Sequence, residues 1–177
     1  IDGIVRQAIA TLQFDQPSMP PISVVAVGGY GRNELAPHSD LDIIVIPLDE
    51  AHPQVDSAVR KLYLALVSAS SSMQMELGYS YRLTTDPPGL DHQSRTALLD
   101  ARLIAGSHLP FETFMELFWD TFPVGDFLHA KLEERALAWA KTNDTPLVVE
   151  PHLKEGAGGL RCFQAANWIG AAIGQEA

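Results

Sequence analysis

The chain has 177 residues, 46% of them hydrophobic and 19% charged, a balance that suits one compact domain, or one and part of another, and excludes intrinsic disorder. Twelve Lys and Arg against 22 Asp and Glu leave a net charge of −10, the wrong sign for a protein that grips nucleic acid by its phosphates. The longest apolar runs are strand-length, such as Ile43-Ile44-Val45-Ile46, too short to span a bilayer, so no membrane partner is expected. A single cysteine, Cys162, excludes an internal disulfide or a Cys-cluster metal site and fits a reducing, cytoplasmic setting. No basic region followed by an apolar run opens the sequence, so no secretory leader is expected, and Ile1 in place of Met points to a piece of something longer.

In chain order, Ile4, Val5, Ala8, Ile9 and Leu12 recur at helical spacing and predict an amphipathic helix over residues 1–13. Pro17, Pro20 and Pro21 stop it. Residues 23–27 form a short β-branched run, a buried strand that ends abruptly at Gly28-Gly29. Residues 30–39 are polar and turn-rich, and residues 41–46 are a second buried strand closed by Pro47. Val55, Ala58, Val59, Leu62, Leu66 and Ala69 give a helix over 54–70 one apolar face. From 73 to 83 the period drops to two, with Met75, Leu77, Tyr79 and Tyr81 on one side and Glu76, Gly78, Ser80 and Arg82 on the other, which predicts a third strand. Residues 96–105, 110–119, 126–140 and 162–174 read as helices. The expected fold is therefore α/β (α+β), a small sheet flanked by helices over residues 1–120, with a helical segment over 121–177 that begins a second domain.

The segment that carries chemistry is Val25-Ala26-Val27-Gly28-Gly29-Tyr30-Gly31-Arg32, followed by His38-Ser39-Asp40-Leu41-Asp42. A strand running into Gly-Gly lets backbone N–H groups approach a phosphate. Arg32, just past the glycines, offers a fixed cationic fork. Asp40 and Asp42 lie two apart at a strand start and so share one face. Two such carboxylates repel one another unless a hard divalent cation sits between them, for which Mg²⁺ is the natural occupant. Strand, Gly-Gly, a spacer of ten residues and then Asp-x-Asp entering an apolar strand is far more specific than either half. It is neither a Walker A loop nor a dinucleotide fingerprint, because both need a different glycine spacing.

This pattern resembles the nucleotidyltransferase superfamily of DNA polymerase beta and kanamycin nucleotidyltransferase. The wording from Gly28 to Leu35 and from Pro37 to Asp42 resembles more narrowly the N-terminal domain of bacterial PII uridylyltransferase, the bifunctional uridylyltransferase/uridylyl-removing enzyme. Further stretches agree in the same order: Glu76 to Arg82, Leu98 to Gly106, and Lys154-Glu155-Gly156-Ala157-Gly158-Gly159-Leu160-Arg161. The resemblance implies a small mixed sheet flanked by helices and transfer of UMP from UTP to a tyrosine of the PII nitrogen-signalling protein. It also implies Mg²⁺ as cofactor, and UTP and PII as partners. By position, Gly28 and Gly29 would hold the triphosphate with help from Arg32 and Ser39, and Asp40 and Asp42 would be catalytic and bind the metal. A third metal carboxylate is expected on a following strand, with Glu76 the candidate and Asp100 the runner-up.

Two positions depart from the family wording. Asn33 stands where glycine is common, and Cys162 stands where Asp usually follows Gly-Gly-Leu-Arg, removing an acceptor for a neighbouring Arg or N–H. The phosphohydrolase and ligand-sensing domains of the family enzyme do not fit in 177 residues. Lys154 and Arg161 suit phosphate binding, helix capping, or pairing with Glu150 and Glu155 equally well. The same residues leave open a non-catalytic nucleotide-binding or regulatory module, and a transferase using another nucleotide, such as a protein adenylyltransferase.

Overall fold

The two runs richest in β-branched residues become β1 (Ile22–Ala26) and β2 (Leu41–Pro47), buried along almost their whole length, as strands covered on both faces must be. The computed structural model describes residues 1–10, 20–36, 38–141 and 152–174. In it the chain divides into two units, Ile1–Thr121 and Phe122–Ala177.

In the first unit β1 and β2 are the inner strands of a mixed sheet ordered β3-β2-β1-β4, with β3 at Leu77–Tyr81 and β4 at Arg102–Gly106. β1 runs antiparallel to both neighbours, while β2 and β3 are parallel. The parallel pair requires a crossover, which α3 (Val55–Ser72) supplies. Its buried Ala58, Leu62 and Leu66 join Val5 and Ile9 of α1 (Asp2–Ala10) against one sheet face, made of Ile22, Val24, Ala26, Leu41, Ile43 and Val45. The mixed α/β architecture with a small mixed sheet is the one expected from the sequence.

One expectation fails. Residues 96–105 are not a helix: α4 (His92–Leu98) ends early and β4 follows, giving a fourth strand. Asp91 caps α4 by accepting the Ser94 N–H at 2.7 Å. A short apolar run has too few turns for its period to separate helix from strand. Pairing with β1 decides it, through a register shift between Val24 and Val25 that no local pattern announces.

Ser23 ties β1 to α5 (His108–Asp120). Its fully buried hydroxyl donates to the Ser107 carbonyl at 2.6 Å and accepts the Phe111 N–H at 3.0 Å. Ser23→Ala leaves both partners unsatisfied, so unfolding in denaturant is expected to show a loss of about 1–3 kcal/mol.

In the second unit α6 (Val124–Ala140) packs against α7 (Leu160–Gly174). The buried face of α6 is Val124, Phe127, Lys131 and Arg135, so two cations lie among apolar neighbours. Each is compensated: the Lys131 ammonium lies 2.8 Å from Glu134 Oε2 and over the Trp168 ring, and Arg135 pairs with Glu134 and Glu155. Arg161 reaches Glu155 and Gln164, which is the pairing role; Glu150 lies outside the described residues. Cys162, half-buried on α7, faces the Gly156 carbonyl.

Candidate nucleotide and metal site

The glycine turn is a single helical turn, α2 (Gly28–Gly31), springing directly from the end of β1. Gly28 has φ +55°, a conformation glycine adopts without steric cost. The bonds of the turn run from the N–H groups of Gly31, Arg32 and Glu34 back to the carbonyls of Val27, Gly28 and Gly29. The N–H groups of Gly28 and Gly29 thus stand at its open end, ahead of that ladder. Asn33 follows at φ +60°, so the substitution for glycine keeps the left-handed geometry.

Asp42 lies beside this turn because its carbonyl accepts the Val27 N–H at 3.1 Å. Its carboxylate is half-buried, and a Cβ on Gly28 would come within 3.5 Å of Oδ2. Burial, and then the charge of Asp40, push the Asp42 carboxyl above the usual range. Asp40 is exposed at the mouth of the strand. Ser39 shapes the approach to it: its Oγ accepts the Ala36 N–H at 3.1 Å, and its own N–H donates to the Ala36 carbonyl. Pro37 lies outside the described residues.

Gly78 is a close-approach position beside Asp42 that the sequence alone does not single out. In the β2–β3 register it stands opposite Asp42, and a Cβ there would overlap Asp42 Oδ1. A glycine inside a strand pattern signals such a close approach, but only the register names what approaches. Glu76 sits one residue before the Leu41–Leu77 pair, with its carbonyl accepting the Leu41 N–H at 2.7 Å and its side chain exposed. Among the described residues no three His, Cys, Asp or Glu side chains are gathered as a metal-binding group. The structure thus brings Asp40 and Asp42 together and leaves Glu76 at the mouth of the next strand.

Arg32 is held by two carboxylates: Nε donates to Glu34 at 2.7 Å and Nη1 to Asp100. Its Nη2 lies 3.9 Å from where a Gly29 Cβ would stand. Asp100 is therefore engaged with Arg32. Arg102, two residues on, pairs with Asp2 and donates to the carbonyls of Tyr30 and Gly31.

Half-buried and exposed carboxylates two residues apart, beside a turn of glycines, fit a small hard cation that keeps part of its water and shares substrate phosphates. The Asp42 carboxyl is raised first by burial and then by the Asp40 charge, and a cation held between the two carboxylates would oppose both effects.

A family model described as "Nucleotidyltransferase domain" matches residues 5–73, from α1 through α3. A second, described as "GlnD PII-uridylyltransferase", matches residues 126–175, spanning α6 and α7. The bifunctional uridylyltransferase/uridylyl-removing enzyme of Burkholderia lata is 37% identical over 165 residues, which is 91% of this chain. The chain is a relative of these enzymes. Proteins of the same description from Burkholderia orbicola and Burkholderia mallei are 38% and 36% identical over 91% and 86% of the chain. The chain spans 19% of the length of the Burkholderia lata enzyme. The match to a solved structure described as "Crystal structure of the toxin-antitoxin with AMP-PNP" covers 75% of this chain and 94% of that one at 15% identity, with a TM-score of 0.38. The nucleotidyltransferase match contains the glycine turn, Asp40 and Asp42, so the residues singled out by geometry fall within the region shared with that family. No helix among the described residues is long and apolar enough to cross a membrane.

Proposed function

We propose that the chain is the Mg²⁺-dependent nucleotidyltransferase part of a cytoplasmic PII uridylyltransferase, moving UMP from UTP to a tyrosine hydroxyl of a PII protein. The observation that supports this best is the placing of the Asp42 carboxylate between Gly28 and Gly78, beside the open end of the glycine turn, in a chain 37% identical to named uridylyltransferases. The Gly28 and Gly29 N–H groups present donors to a phosphate, and Arg32 adds positive charge at the far end of the turn. Asp40 and Asp42 are the metal-holding residues, with Glu76 the candidate third ligand. Mg²⁺ bound there supplies charge neutralisation for the phosphates and for the oxygen that leaves with pyrophosphate. Ser39 holds the loop that delivers Asp40.

The test is a transfer assay with UTP labelled at the α-phosphate, a PII protein and Mg²⁺, set beside the same assay with ATP. Label on the PII tyrosine from UTP and little from ATP is the expected result. Transfer from ATP alone would make the chain a protein adenylyltransferase. Binding of UTP without transfer to any acceptor would make it a regulatory module.

A further inference from the structure

Arg32 and Asp100 are 68 residues apart, yet they form an ion pair with side chains only 19% and 9% exposed. A pair taken this far out of water contributes little net stability, because lost hydration offsets most of the attraction. Its value lies in the geometry it fixes. Both carboxylates that hold Arg32 belong to residues whose own backbones touch the glycine turn. The Glu34 N–H donates to the Gly29 carbonyl at 2.9 Å. The Asp100 carbonyl lies so close to Gly31 that a Cβ there would overlap it. Arg102 then takes the carbonyls of Tyr30 and Gly31 at 3.1 Å each. The turn is gripped from behind by residues 100–102 and Arg32 is aimed from the same segment, so guanidinium and turn keep one fixed spacing.

Resting on the nucleotidyltransferase reading, we propose that Asp100 is a positioning residue that sets Arg32 against the glycine turn to receive the triphosphate of the nucleotide, and is not a metal ligand. Held at Nε by Glu34 and at Nη1 by Asp100, the planar guanidinium takes one orientation, with Nη2 on the side of Gly29. The role concerns phosphate geometry, so it is indifferent to the base and to the acceptor.

The test titrates inorganic tripolyphosphate and UTP, each with Mg²⁺, into the 177-residue chain and its variants. Asp100→Asn is expected to weaken both ligands roughly tenfold, leave the half-saturating Mg²⁺ concentration unchanged, and be partly rescued by Asp100→Glu. In an Arg32→Gln background the same substitution is expected to add nothing, because its partner is already gone. Thermal unfolding accompanies each titration, and should Asp100→Asn not fold, the comparison of Asp100→Glu with Arg32→Gln carries the same decision. Unchanged tripolyphosphate affinity in Asp100→Asn overturns the proposal. So does a shifted Mg²⁺ requirement that persists without Arg32, or a parent chain that binds no tripolyphosphate. Failure to label PII while tripolyphosphate binding responds as described would sink the uridylyltransferase reading and leave the positioning role standing.

Discussion

Asp42→Asn should lower nucleotidyl transfer by about 10²–10³-fold and, in the absence of metal, raise the melting temperature of the chain. The two effects have one cause. Burial and the neighbouring Asp40 charge hold the Asp42 carboxyl above its usual range, so the folded chain keeps a proton there that the unfolded chain has given up. Metal-free stability therefore falls as pH rises through the interval between the ordinary Asp value and the raised one. The amide removes the titrating charge and with it that slope. Thermal unfolding across this interval, with and without Mg²⁺, measures it. Saturating Mg²⁺ should stabilise the parent chain and leave Asp42→Asn unmoved. A variant that melts lower than the parent without metal, or that still transfers at the parental rate, would show that the carboxylate is an ordinary surface group.

Gly78→Ala is expected to keep the fold and lose about 10²-fold in activity. The new methyl group falls on Asp42 Oδ1, the tip of a side chain that can swing aside without disturbing β2 or β3. Gly78 lies outside the positive-φ region, so alanine there should be neutral or stabilise by about 0.4–1 kcal/mol through the unfolded state. Rising stability together with falling activity separates displacement of a carboxylate from damage to a strand. Full activity in a well-folded Gly78→Ala chain would refute the view that the space beside Asp42 matters.

Much of this was legible because the informative signals were local. β1 and β2 announce themselves as β-branched runs bounded by Gly28-Gly29 and Pro47, and β3 by strict alternation from Met75 to Tyr81. Asp40 and Asp42, two apart at a strand mouth, are likewise a local pattern. What escaped is set by pairing across the sheet. β4 is strand because β1 offers it an edge, against a periodicity that suggests helix. Gly78 gains its meaning only from the register that puts it opposite Asp42. Asp100 stands in the sequence as the runner-up for the third metal carboxylate, and only the folded chain gives it to Arg32. The burial of Lys131 and Arg135 likewise rests on partners that only the fold supplies, among them Glu155 and the ring of Trp168.

The grip of residues 100–102 on the glycine turn also bears on the order in which the first unit assembles. β1 and β2 are separated by a short connection and can pair early, bringing Val27 and Asp42 together with little loss of chain entropy. The links from Arg32 to Asp100 and from Arg102 to Gly31 close loops of 68 and 71 residues, and they wait until β4 finds the free edge of β1. A chain interrupted before β4 would carry every residue of the Gly-Gly and Asp-x-Asp pattern and still lack a settled turn. On the proposed nucleotide site, competence would arrive only once β4 has paired with β1, so slow pairing of β4 would delay function more than it delays collapse.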